Sequence, residues 1–124
     1  MFVKACCKKT GECIADQVEI AQTFFKRLIG LTGRRKMIDG AGLYFPGCRS
    51  IHSFFMNFSI DVLFLDKQMH ITKIVRCLRP YRLAFAPMQT RHTLELSCGA
   101  LEKFQLKVGD AIVLIEYGKE SYGS

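Results

Sequence analysis

A chain of 124 residues, 49% hydrophobic and 23% charged, has the length and apolar content of one globular domain, burying about two-thirds of the surface its unfolded form exposes. No run of about 18 apolar residues occurs, which excludes a membrane-spanning helix. The N-terminus, MFVKACCKKTGECIADQ, lacks the charged lead, sustained apolar stretch and small-residue cleavage site of a secretory signal, so a cytoplasmic protein is expected; its net charge of +7 suits a solvated surface or a phosphate-rich partner.

Residues 1–19 read as a hairpin. Phe2 to Cys7 and Cys13 to Ile20 flank Lys8-Lys9-Thr10-Gly11-Glu12, a turn whose glycine can supply a positive φ. The period then changes: Ile20, Phe24, Leu28 and Leu31 recur at helical spacing, with Ala21, Phe25 and Ile29 widening the stripe. Gly30 and Gly33 end this predicted helix, about residues 20–31, and basic residues follow where the helix dipole favours cations. From Gly42 onward strands dominate. Leu43-Tyr44-Phe45 stops at Pro46-Gly47, and His52 to Met56 forms a short strand. Ile60 to Asp66 is nearly continuous in Val, Leu and Phe, as in a strand buried on both faces. After Lys67-Gln68 the chain reverses into His70 to Leu78, and Pro80 and Pro87 bracket a surface loop. Arg91 to Ser97 is another strand, Gly99 opens a short helical turn through Phe104, and Leu106 to Asp110 turns into a last strand, Ala111 to Tyr117. The tail, residues 118–124, is polar and is expected to fray. The predicted architecture is mainly β, of the α+β class: a curled antiparallel sheet or small barrel with one covering α-helix.

Six cysteines stand at positions 6, 7, 13, 48, 77 and 98. No CxxC pair occurs, and the adjacent Cys6 and Cys7 point to opposite faces of a strand, a poor arrangement for gripping one metal. Reduced, mostly buried thiols are the leading reading, with a metal site or disulfides as alternatives. Two basic clusters stand out, Arg34-Arg35-Lys36 and Lys73, Arg76, Arg79, Arg82. Without aromatic residues interleaved on a recognisable module, they read as solvated surface ahead of nucleic-acid contacts.

An ordered series of motifs resembles one family. Ala21-Gln22-Thr23 through Arg27, then Gly30-Leu31, is similar to its helix motif. Gly42-Leu43-Tyr44-Phe45 is similar to its glycine–aliphatic–phenylalanine strand, and Phe54-Phe55-Met56 followed by Ile60-Asp61-Val62-Leu63-Phe64-Leu65-Asp66 to its central signature. Leu94-Glu95-Leu96 with Gly99, and then Val108-Gly109-Asp110, resembles its closing pattern. The family is the prokaryotic domain of unknown function 192, and the resemblance covers about residues 20–115. Phe55 stands where the common form has a tryptophan, and the turn from Met56 to Asp61 is shorter. The resemblance implies a compact, mainly β fold and supplies no reaction.

The polar groups worth testing lie in the most apolar region. Asp61, between Ile60 and Val62, needs a cation or several N–H donors to sit there as a carboxylate, and Glu95, between Leu94 and Leu96, poses the same problem. Arg27 is the best-placed partner on sequence grounds, so a buried Arg–carboxylate network is weighed ahead of an acid or base at a pocket. Cys48 and His52 are four apart, too few ligands for zinc by themselves, yet conceivable as a nucleophile and base. Phe55 and Met56 could line an apolar pocket, although such stripes are more often core. No phosphate-binding glycine loop, HExxH or GxSxG occurs.

The leading expectation is therefore a small non-enzymatic domain with no cofactor or metal. It would hold a small molecule or peptide in a groove near His52, Met56 and Asp61, with Arg27, Phe55 and Glu95 as further candidate ligand-binding residues. A hydrolase using His52 with Cys48 or Asp61, and a nucleic-acid contact through the basic clusters, are the alternatives. No membrane partner is expected, and the oligomeric state is open.

Overall fold

The computed structural model describes residues 2–20, 39–47, 50–52 by their backbone, 58–80 and 82–117. Strands β1 (Phe2–Cys7) and β2 (Cys13–Ile20) form the predicted hairpin. Its turn closes where the Gly11 N–H donates to the Cys7 carbonyl at 2.8 Å, and the φ of 75° at Gly11 turns the chain back so that the Glu12 carbonyl accepts the Cys7 N–H at 2.9 Å. Strand β3 (Ala41–Phe45) lies parallel to β2, with Gln17 opposite Ala41 and Ile20 opposite Tyr44. A parallel neighbour requires a crossover connection, and residues 21–40 have the length for one. Strand β4 (Ser50–His52) stands apart. Strands β5 (Ile60–Asp66) and β6 (Ile71–Leu78) form a second hairpin, and β7 (Leu83–Phe85) pairs antiparallel with β4 in a separate two-stranded sheet. Strand β8 (Thr90–Ser97) inserts between β5 and β3, and β9 (Ile112–Glu116) runs along the outside of β1.

The main sheet has the order β6-β5-β8-β3-β2-β1-β9, which corrects the predicted architecture in three respects. It is mixed, because β2 and β3 are parallel. It is open: the edge strands β6 and β9 share no ladder and meet only near one corner, at the His70–Ala111 bridge. There the Ile71 N–H donates to the Asp110 carbonyl at 2.8 Å, and the Ile112 N–H to the Met69 carbonyl at 2.9 Å. The sheet thus curls far enough for its corners to touch, but β9 spends its length on β1 and β6 on β5, so no barrel closes. Finally, no α-helix covers the sheet among the described residues, where the one helical piece is a 3-10 turn, Ala100–Lys103. The helix predicted for residues 20–31 falls outside the described residues except for Ile20, which ends β2. The frayed tail also falls outside them.

One smaller correction follows from a short element. The stretch between Pro80 and Pro87 contains β7, whose three residues are too few to show a period; Leu83 and Phe85 are exposed while Ala84 is buried. Of the strand predicted from His52 to Met56, His52 ends β4 and residues 53–56 lie outside the described residues.

Both faces of the main sheet carry apolar clusters. On β5, Leu63 and Leu65 join Val18, Tyr44, Leu94 and Leu96 on one face. Ile60, Val62 and Phe64 join Leu43, Phe45 and Ala84 on the other. Ile60 through Leu65 are all buried, which explains why β5 reads as an unbroken apolar run. Gly42 permits the tight pairing of β3. A side-chain carbon there would lie 3.1 Å from the Glu95 carbonyl oxygen and 3.2 Å from Val18 Cγ2, so only a residue without one fits unstrained.

Candidate functional site

Asp61 is the chemical centre of the β5–β8 end of the sheet. Its neighbour across the ladder on one side is Leu96 of β8. On the other side, β6 carries an irregularity between the pairs Ile60–Leu78 and Val62–Val75. Such a bulge takes a backbone group out of the ladder, and here Cys77, at a φ of 47°, turns its N–H onto Asp61 Oδ1 at 2.8 Å. Asp61 Oδ2 accepts the N–H of Leu101 at 3.0 Å, serving the 3-10 turn, whose own cap residue Gly99 offers no side chain. With 1% of its surface exposed and each oxygen bonded to a backbone donor, this carboxylate joins β6 to the segment after β8.

Cys77 and Cys98 meet at the same place in a disulfide, with Cα atoms 4.8 Å apart. This corrects the expectation of reduced thiols throughout. The pair comes together because β6 and β8 flank β5, a proximity that a separation of 21 residues does not announce. Cys6, Cys7 and Cys13 are in no disulfide.

Glu95 is equally buried, at 1% exposure, but lies opposite Leu43 on one side and Val62 on the other. Because neighbouring positions on a strand alternate faces, the pairings of Asp61 with Leu96 and of Val62 with Glu95 put the two carboxylates on opposite faces of the sheet. They form no common acid–base site. His52 is described by its backbone alone, opposite Leu83. Arg27, Cys48, Phe55 and Met56 lie outside the described residues, as does the cluster Arg34-Arg35-Lys36. Lys73, Arg76, Arg79 and Arg82 are exposed, and Lys73 Nζ donates to the Phe85 carbonyl at 2.9 Å.

A concave feature built by the described residues lies at the open edge of the sheet. A cavity of about 660 Å³ is lined by Lys8, Tyr44, the β5–β6 turn residues Gln68, Met69 and His70, and residues 111–114 at the start of β9. The turn is shaped by Asp66, whose Oδ1 accepts the N–H groups of Gln68 and His70, both at 2.9 Å. The His70 imidazole stands 3.8 Å from the same oxygen. Met69 occupies the left-handed region, φ 67°, and its sulfur accepts the Tyr44 hydroxyl at 3.6 Å. Burial pushes that phenol up from its usual range, so it stays a neutral hydroxyl. Tyr44 also rests against His92, ring centres 5.7 Å apart. Sequence reading gave His70 and His92 no role and took Tyr44 only as part of a strand. The available signals were the polar-tipped aromatic inside an apolar strand and the aspartate two residues before Gln68.

His92 makes one pH-dependent contact. Its Nδ1 accepts the Gly47 N–H at 3.0 Å. Burial holds the imidazole below its ordinary value of 6.5, Arg91 adds to the effect, and Asp66 opposes it. The unfolded chain therefore takes up this proton more readily than the fold. The stability from His92 is complete above pH 6.5 and is lost as pH falls through the lower folded-state value. The melting temperature is expected to fall between pH 7 and about pH 5, and His92→Gln to flatten that part of the profile. An unchanged slope in the variant would assign the dependence to another group.

Comparison with known proteins agrees with this fold. The chain is 32% identical over 109 residues to a UPF0127 protein of Thermococcus sibiricus, covering 85% of this chain and 70% of the relative. It is 32% identical over 99 residues to UPF0127 protein PH1112 of Pyrococcus horikoshii, covering 77% and 85%. Its fold resembles the crystal structure of a protein of unknown function from Novosphingobium aromaticivorans, with a TM-score of 0.74 at 20% identity, covering 91% of this chain and 84% of the other. The family described as "Uncharacterized ACR", DUF192, matches residues 5–114, and the chain belongs to that family.

Proposed function

We propose that this chain is a binding domain that holds a small molecule or a short extended peptide in the groove beside Tyr44, Met69 and β9. The observation that carries this reading is the cavity of about 660 Å³ at the unclosed edge of the sheet, within the range of roughly 300–1,000 Å³ typical of ligand sites. Its walls combine apolar side chains with a few polar groups: the Tyr44 hydroxyl, the His70 ring and the Lys8 ammonium. Its floor includes strand edge. The Ile112 N–H points away from β1 to Met69, and alternation along the strand turns the Leu114 backbone the same way, so an extended peptide could add to β9 by main-chain hydrogen bonds.

The groove first expected near His52, Met56 and Asp61 is the weaker location, because Asp61 already spends both oxygens on backbone donors. Screening a fragment and peptide library by amide and methyl chemical-shift changes tests the proposal. Binders are expected to move Tyr44, Met69, Ile112 and Leu114. The exposed-rim variants Lys8→Glu and His70→Ala should weaken them about threefold to tenfold, the loss expected from one exposed polar contact, without lowering the melting temperature. Binders that shift only residues elsewhere, or that ignore both variants, would refute the site.

A further inference from the structure

We propose that Cys77–Cys98 is a redox-active disulfide, opened and closed by exchange with a dithiol partner through Cys98. Cys98 is exposed and Cys77 is half-buried, whereas Cys6 and Cys7 are buried. The bond crosses over the end of β5, since Cys77 belongs to β6 on one side and Cys98 follows β8 on the other. Asp61, on β5 between them, receives one N–H from each arm, from Cys77 itself and from Leu101 three residues beyond Cys98. The hydrogen bonds thus duplicate the connection made by the sulfurs. They keep the two arms in register when the sulfurs part, which is what a reversible bond at this place requires. Cys77 adds a second feature. Its left-handed backbone, φ 47°, is costly for a residue with a side chain and is sustained only while its surroundings hold it. Opening the disulfide removes one of those restraints, so the bulge of β6 is the element that responds.

The exchange balances as follows. A partner thiolate attacks Cys98 Sγ, forming a mixed disulfide and expelling Cys77 as a thiolate, which takes up a proton. The partner's second thiol then attacks the partner sulfur of the mixed disulfide and releases Cys98. One dithiol and one protein disulfide become two protein thiols and a partner disulfide, and two electrons pass to this chain.

The test equilibrates the full chain in native buffers of graded reduced-to-oxidised glutathione ratio, quenches with acid, alkylates and maps the cysteines by peptide mass. Cys77 and Cys98 are expected to convert together in one two-electron transition while Cys6 and Cys7 stay protected. In the reduced form, hydrogen exchange at the Cys77 amide should rise by about tenfold or more, with the Leu101 amide still protected. Cys98→Ser should match the reduced form in folding and in its exchange pattern. A pair that opens only when denaturant unfolds the whole chain is a structural staple, and that result overturns the proposal. So does recovery of the two thiols with Asp61 around one equivalent of zinc, since the three groups offer ligand atoms within 4.8 Å of one another.

Discussion

Asp61→Ala is expected to cost about 2–5 kcal/mol of folding stability, because it strands the buried Leu101 N–H and the part-buried Cys77 N–H at a stroke. The Cys77 N–H sits in a bulge and has no carbonyl across the ladder to return to, and the Leu101 N–H belongs to the first turn of a 3-10 segment whose cap is a glycine. Each orphaned donor accounts for about 1–3 kcal/mol, with the half-buried Cys77 N–H toward the lower end because water reaches it more easily. Asp61→Asn should be milder, since its carbonyl satisfies one donor while its NH₂ confronts the other. Urea unfolding would show the midpoint displaced in that order with an unchanged slope, and the alanine variant should melt roughly 10 °C lower. Hydrogen exchange adds a signature that general destabilisation lacks: the Cys77 and Leu101 amides should lose protection before their strand neighbours do. If Asp61→Ala stayed within about 0.5 kcal/mol of the parent, the carboxylate would not be the clasp described here.

How far this corner was legible in the sequence depends on which residues are asked about. That Asp61 and Glu95 are buried could be read from the aliphatic residues on either side of each. That they face opposite ways could not, because the face of a strand residue is set by its pairing register, and the register between β5 and β8 appears only once Leu96 is seen opposite Asp61. The first hairpin and β5 were readable because local turn chemistry and unbroken apolar content determine them. The parallel pairing of β2 with β3 was not, since it depends on the path of residues 21–40 and leaves no local period. Disulfides were only an alternative reading, and the Cys77–Cys98 pairing was not legible for the same reason: chain separation carries no information about which two strands flank a third. The groove is harder still. It is made where two sheet edges fail to join, by strand backbone and by side chains from β3, β5–β6 and β9, and no motif marks such a gap. The family resemblance pointed to a mainly β fold, which the structure has, but it bore on neither the groove nor the bulge.

Phe64→Ala is expected to destabilise the fold by about 3–5 kcal/mol, the usual cost of removing a large aromatic side chain from a packed interior. The argument concerns the architecture as much as the residue. Phe64 has no exposed surface and stands on the face shared with Leu43, Phe45, Val62 and Ala84, opposite the face on which Leu63 and Leu65 pack. An antiparallel sheet commonly leaves one face to water, and on such a face an aromatic residue would contribute little; its loss would then change stability by within about 0.5 kcal/mol. A large loss at Phe64, matched by one of about 2–5 kcal/mol at Leu63→Ala, therefore requires apolar layers on both sides of β5. Exposed Leu83→Ala is the internal control and should be nearly silent. Denaturant midpoints for the three variants decide the matter: two large shifts and one small one support a sheet buried on both faces, whereas a silent Phe64→Ala would expose the second cluster as loosely packed and remove the layer that β7 helps to form.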